Sequence, residues 1–395
     1  MDFDFEARTI IEALRSGIPS RAVGKYFAQA RPRVLADIEH DITMVGKTGQ
    51  SSGKIISGKY GEGKTHLLNT IFNYAHDNNM VVSMISLSKE TPFNKLYDIY
   101  RKLMANTYLP GKKQPGFIHV FQEKLTLNSN ISSNMLLYCL ERLDTDRLFF
   151  LLKDYIHTND MDEKALLQSD LEGDFIPNTM VKSIYFRVFN QRAKFKVNFV
   201  KSRHYQDYYY LMSNLFKNLG YDGWVILFDE TELLGRLGNK TRMDAYRNMG
   251  RFLFPADSLE SVYTLFAISS SYVEDVIEGK KDNAVIDKYF SETPEVYLKV
   301  IEKIKEADQL SPLTEDEMRS ILSKIVLFHF KSYDWHTEVD MNDFYDKVSA
   351  GGYLLRSKIR AAIEYLDILY QYRMKSHITI NKIDSTIFEK EFSDE

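Results

Sequence analysis

Gly58-Lys59-Tyr60-Gly61-Glu62-Gly63-Lys64-Thr65 satisfies G-x-x-x-x-G-K-[ST] in full, and the apolar run Lys54-Ile55-Ile56-Ser57 leads into it. Downstream, Leu67, Leu68, Ile71 and Phe72 recur at helical spacing, which predicts a helix from Thr65 to about Ala75. Strand, glycine loop and helix, in that order, make a phosphate cradle. Gly58 and Gly63 are read as taking backbone angles closed to other residues, so that successive N–H groups converge on phosphate oxygens. The helix adds its positive end at the same place. On this reading Lys64 reaches the β- and γ-phosphates of ATP and the Thr65 hydroxyl ligates Mg2+. Lys59, Tyr60, Gly61, Glu62 and His66 complete the nucleotide-binding stretch.

A second motif belongs with the first. Trp224-Val225-Ile226-Leu227-Phe228-Asp229-Glu230 is an apolar strand ending in two carboxylates. Asp229 is expected at the metal, and Glu230 is expected to polarise the attacking water. Two adjacent acids at a strand end also suit a solvated turn, a reading that the glycine loop disfavours; Glu232 is a weaker acid candidate, with an exposed side chain the plainer expectation. Met80–Leu87 and Val262–Ile268 read as further buried parallel strands, because both faces are apolar. The last of these runs into Ser269-Ser270-Ser271, where Ser269 either contacts the γ-phosphate or is a plain turn serine. Arg236, Arg242, Arg247 and Arg251 follow the acidic pair. One of them as an arginine finger would make a homo-oligomer a partner; four solvated arginines on a surface helix is the plainer reading. Arg356, in Gly351-Gly352-Tyr353-Leu354-Leu355-Arg356, is placed to fold back onto the γ-phosphate from a C-terminal helix.

The rest of the chain frames these motifs. Its 395 residues are 44% hydrophobic and 27% charged, as in an ordinary globular protein. The net charge of −4 gives no overall field toward DNA or an anionic membrane, so any nucleic-acid contact needs a local patch. One such stretch exists. Lys182, Arg187, Arg192, Lys194, Lys196, Lys201 and Arg203 occur without an intervening Asp or Glu, interleaved with Tyr185, Phe186, Phe189, Phe195, Phe199 and Tyr205. It reads either as a surface where phosphates pair and bases stack, or as an edge with a wet basic face and a buried aromatic one. Cys139, the single cysteine, lies among Leu137, Tyr138 and Leu140 and reads as a buried, inert thiol. The acidic start Met1–Glu6 lacks a signal-peptide pattern and no apolar run is long enough to span a membrane, so a soluble, cytoplasmic protein is expected.

Segments 1–45 and 311–395 have helical periodicity, and 46–310 carries the strands. The acidic pair follows the glycine loop unusually late, which predicts a large helical insertion at about 111–219. The expected fold class is α/β: a P-loop nucleotide-hydrolase core with a mostly parallel sheet, that insertion, and a C-terminal helical lid domain. No internal repeat or low-complexity tract is present.

The run Ala7-Arg8-Thr9-Ile10-Ile11-Glu12-Ala13-Leu14-Arg15-Ser16-Gly17-Ile18-Pro19-Ser20, together with Tyr60-Gly61-Glu62-Gly63-Lys64-Thr65-His66-Leu67-Leu68, resembles the ATP-binding proteins of bacteriophage-exclusion (BREX) systems. The resemblance continues at Phe228–Leu233, Arg236–Phe254, Leu265–Ala267 and Leu313–Glu315, and ends near Arg356–Arg360; it is weakest from about Gly111 to Leu219. It implies an AAA+-like or origin-recognition-like ATPase acting with other defence-system proteins, and it carries over Lys64, Thr65, Asp229 and Glu230. Ser269 stands where the family tends to have threonine, Ser270 and Leu355 where it often has proline. Two other functions fit the same residues: a DNA-binding loader ATPase outside defence, and a scaffold that binds ATP without hydrolysing it.

Overall fold

The computed structural model describes residues 3–18, 20–28, 31–350 and 354–372. Among them are the strands β1 (Ser52–Gly58), β2 (Met80–Ser86), β3 (Thr107–Tyr108), β4 (Gly223–Asp229), β5 (Val262–Ser269) and β6 (Asp308–Gln309). They form a sheet in the order β3-β2-β4-β5-β1-β6. β2, β4 and β5 pair in parallel, with Ser86 opposite Asp229 and Phe228 opposite Phe266. β3 runs antiparallel to β2 at the edge. The fold is therefore α/β with a mostly parallel sheet.

Every residue of β4 is buried, as its unbroken Trp-Val-Ile-Leu-Phe run requires of a strand covered on both faces. The Trp224 indole finds a partner in Ser83 Oγ at 2.8 Å, which also meets Thr107 Oγ1 at 2.7 Å. Phe228 stacks on Phe266 at 4.9 Å, and Phe93 meets both edge-on. Such offset and edge contacts satisfy the ring quadrupoles while burying large apolar areas.

Contacts divide the chain into two units, one holding the residues up to Asp37, Ser57–Asn73 and the chain from Asp308, the other Ile38–Ile56 and Tyr74–Ala307. In the second unit, the helices between 111 and 219 share one hydrophobic core with the sheet: Phe117, Leu151, Tyr155 and Leu211 belong to the same cluster as Trp224 and Phe266. A buried ion pair organises these helices. Arg147 donates to Asp170 at 2.9 and 2.6 Å, to Ile176 O at 2.7 Å and to Asn178 Oδ1 at 3.0 Å, and it also touches the Tyr208 hydroxyl. The Phe199 ring lies 4.6 Å from the guanidinium carbon.

In the first unit, α1 (Phe3–Ser16) and α2 (Arg21–Tyr26) pack with the helices Glu315–Tyr333, Met341–Ala350 and Leu355–Tyr372. Ser20 caps α2 by accepting from Val23 N at 3.2 Å. Arg15 donates to Asp367 at 2.7 Å, and His329 Nε2 lies 3.0 Å from the same carboxylate. Segments from opposite ends of the chain thus form one core. Between the units' segments run α3 (Pro32–Thr48), from the first to the second, and α4 (Lys64–Asp77), which follows the glycine loop. No helix among the described residues is long and apolar enough to cross a membrane.

Two consequences can be measured. Arg147→Met leaves Asp170 charged and unpaired in the core, which should cost about 3–5 kcal/mol in urea unfolding; the double change with Asp170→Asn should recover part of it. A loss below about 1 kcal/mol for the single variant would count against the pair. The second concerns Asp154, which is fully buried with neither carboxylate oxygen hydrogen-bonded. Burial, and then Glu163, push its pKa up to about 8 against the pull of Lys153 and Arg187. The folded state therefore holds a proton that the unfolded chain releases above about pH 4, so this group's contribution falls as pH rises from there to about 8. Asp154→Asn should flatten the melting temperature between pH 5 and 8 and raise it at pH 8; unchanged slopes would rule the neutral carboxyl out.

Candidate functional site

β1 enters its turn through the buried residues Ile55, Ile56 and Ser57, and the loop beyond it belongs to the first unit. Gly61 and Gly63 take φ of 76° and 92°, the left-handed region that glycine enters at no steric cost. Gly58 does not, contrary to the expectation from sequence. It ends β1, and its constraint is space, since a Cβ there would lie 3.3 Å from both Glu62 Oε2 and Leu310 Cβ. Glu62 Oε2 accepts from Lys59 N at 2.7 Å and holds the loop closed.

Lys64 is only 8% exposed, and its Nζ folds back to Gly58 O at 2.9 Å and Lys59 O at 3.4 Å. Thr65 is half-buried at the first turn of α4, and its carbonyl accepts from Asn69. His66 Nε2 lies 3.2 Å from Phe27 O, and burial pulls the imidazole pKa down. It is spent on the Phe27 carbonyl that follows α2.

Two arginines join the loop from distant sequence. Arg356 N donates to Gly61 O at 3.3 Å, and Arg356 Nη1 to the Tyr60 hydroxyl at 3.2 Å. Arg31 Nη2 donates to Glu62 O at 2.8 Å and Arg31 Nε to Ser311 O at 3.0 Å. Nothing in the spacing around Arg31 signals this role. The donor set (an ammonium, two guanidiniums, a hydroxyl and the amides opening a helix) fits a polyphosphate. No group of three or more His, Cys, Asp or Glu among the described residues could hold a metal ion.

The carboxylate pair lies in the second unit. Asp229 is 2% exposed at the end of β4, and its carbonyl accepts from Leu87 N at 3.0 Å. Asp229 Oδ1 accepts from Glu230 N at 3.0 Å. Glu230 takes φ 56°, unusual for a side chain of its size and a strained geometry of the kind that clusters at functional sites. Ser269 ends β5 on the same C-terminal edge as Asp229, the edge where open parallel sheets bind ligands. Its Oγ is 3.2 Å from Ser271 Oγ and 3.4 Å from Ser271 N, a local turn contact.

The four arginines separate. Arg236 is exposed on the 3-10 turn Thr231–Arg236, ahead of the helix Asn239–Leu253 that carries the others. Arg242 is fully buried, not solvated. It pairs with Asp282 and donates to Leu237 O at 2.7 Å, so it cannot reach across an interface. Arg247 lies 3.3 Å from Asp244 and against the Tyr297 hydroxyl. Arg251 is exposed and lines a cleft of about 120 Å3 with Tyr205, Tyr210 and Phe254.

In the basic stretch, Arg187, Arg192, Lys194, Lys196, Lys201 and Arg203 are exposed and Lys182 is half-buried. Arg187 is bound to Glu163 at 2.6 Å. Tyr185, Phe199 and Tyr205 are buried, and Phe195 packs on Phe150 at 5.3 Å; these rings cannot stack on bases. Phe186 is the exposed one, at 49%.

No curated protein matches the chain. A family model does, over residues 4–126 and 186–382, which takes in the glycine loop, Arg31, the Asp229–Glu230 pair and Arg356 and leaves a gap at 127–185 between its two blocks. With well over half its length matched, the chain belongs to the BREX system ATP-binding protein BrxC/D family.

Proposed function

We propose that this BREX system ATP-binding protein hydrolyses ATP with Mg2+ in the cytoplasm and uses the cycle to switch its contacts with other defence proteins. The observation that carries the reading is the loop itself: a buried Lys64 folded onto Gly58 O, at the start of α4, between left-handed glycines and two guanidiniums. Lys64 leaves Gly58 O for phosphate oxygens, and the Thr65 hydroxyl and the Asp229 carboxylate serve the metal. Bound Mg2+ supplies neutralisation of phosphate charge. A protein that provides one hydroxyl and one carboxylate suits this ion, which keeps waters and phosphate oxygens as its other ligands. Glu230 takes the proton of the attacking water. No covalent intermediate is needed.

Arg356, seated on Gly61 O and the Tyr60 hydroxyl, is assigned to sense the γ-phosphate, which makes the helix Leu355–Tyr372 part of a lid. Arg236 and Arg251 are the exposed candidates for a finger acting across a homo-oligomer. The exposed Lys194, Lys196, Lys201 and Arg203 suit a DNA backbone rather than unstacked bases, because the rings between them are turned inward.

Lys64→Ala should weaken ATP binding at least tenfold in calorimetry. Glu230→Gln should keep binding while phosphate release falls about a hundredfold or more. Equal, near-zero release from wild type and Glu230→Gln, with partner proteins present, would favour the scaffold. Changing Lys194, Lys196 and Lys201 to Glu should lower DNA affinity and its salt slope; no change in either disposes of the DNA contact.

A further inference from the structure

Arg31 belongs to no motif, yet it is 7% exposed and committed on three sides. Its backbone N donates to Glu317 Oε1 at 2.9 Å, its Nε to Ser311 O at 3.0 Å and its Nη2 to Glu62 O at 2.8 Å. Its φ of 57° is a strained value for a non-glycine residue. Glu317 also closes a capping box with Thr314 at the head of the helix Glu315–Tyr333. Arg31 thus ties the glycine loop to the start of a C-terminal helix within one unit.

Nη1 is different. It makes no hydrogen bond to the described residues, and it lies 3.6 Å from the point where a Cβ on Gly63 would sit. Buried charge is normally paired, and in this largely buried residue Nη1 is the part of the guanidinium left open to an anion. Burial draws the Arg31 pKa down while Glu62 and Glu317 hold it up. The unused donor points to the first turn of α4, where the amides and the helix dipole already favour an anion.

We propose that Arg31 is a nucleotide ligand: Nη1 donates to a phosphate oxygen while Nε and Nη2 keep hold of Ser311 and Glu62, so that filling the loop stiffens the head of the helix Glu315–Tyr333. The assignment rests on the nucleotide reading above and adds to it a ligand atom on Arg31 and a route for the signal. A guanidinium is suited to this because its fixed fork bonds in several directions at once, which a lysine ammonium on a flexible stem does not reproduce.

The test uses the full chain and Mg-ADP, which probes binding without turnover. Arg31→Met should lower affinity about tenfold or more, and Arg31→Lys, which keeps the charge, should fall between Met and wild type. Wild type that binds no nucleotide sinks the nucleotide reading and this inference with it. Wild type that binds, with Arg31→Met binding equally well, overturns the inference and leaves that reading intact. Equal losses in Met and Lys, matched by equal drops in the melting temperature without ligand, make Arg31 a brace only and also overturn it. If Arg31→Met does not fold, hydrogen exchange on wild type decides: Mg-ADP should slow the amides of Ser311–Glu317 several-fold, and unchanged exchange at saturation contradicts the proposal.

Discussion

Positive charge gathered at a glycine loop has to be answered, and this requirement governs the first unit. Lys64, Arg31 and Arg356 all bond to atoms of the segment from Gly58 to Glu62, at the end of a helix whose dipole is positive there. Glu62 meets part of that charge, but its carboxylate is already engaged with Lys59 N. Unlike water, the protein interior screens such charges weakly, so each unanswered contact costs on the order of kilocalories. Lys64 turns to the carbonyls of Gly58 and Lys59.

The second unit solves a different problem, that of burying a strand on both faces. Apart from the Trp224 indole, β4 contributes no polar side chain until Asp229, and its surroundings are mostly apolar. Trp224 with Ser83, Arg147 with Asp170, and Arg242 with Asp282 are among the polar groups buried there, each bonded inside the core. Asp229 is then delivered at a fixed height on the strand edge, with its carbonyl held by Leu87 N and its carboxylate braced by Glu230 N. The rigidity of the sheet is what allows a single carboxylate at its edge to have a defined position.

Much of this was legible in the sequence, and the failures share a cause. β2, β4 and β5 are long apolar runs, and the glycine loop has fixed spacing, so local pattern suffices for them. β3 and β6 span two residues each and exist only through their neighbours; no periodicity announces them. Arg242 was misjudged because charge suggests a surface, whereas Asp282, forty residues on, neutralises it inside. The aromatics from Tyr185 to Tyr205 alternate with cations, and only packing against Phe150, Phe175 and Tyr208 reveals which way they turn. Gly58 and Gly61 exchanged roles because a motif states where glycine is required and not why. Arg31 depends on contacts with residues beyond 310 and leaves no trace in its own surroundings.

The N-terminal segment is best understood through the same long-range logic. Gly17 sits at φ 67°, and a Cβ there would lie 2.5 Å from Arg356 Nε. Any larger residue would displace the guanidinium that bonds the Tyr60 hydroxyl, next to the Arg356 N–H that donates to Gly61 O. The turn after α1 is therefore shaped by an arginine more than three hundred residues away, and that arginine by the loop. Arg15 pairs with Asp367 on the helix that carries Arg356, which gives that helix a second anchor. The family match starts at residue 4, far ahead of the glycine loop, and so takes in the helix whose Arg15 braces the helix of Arg356, the arginine that meets that loop.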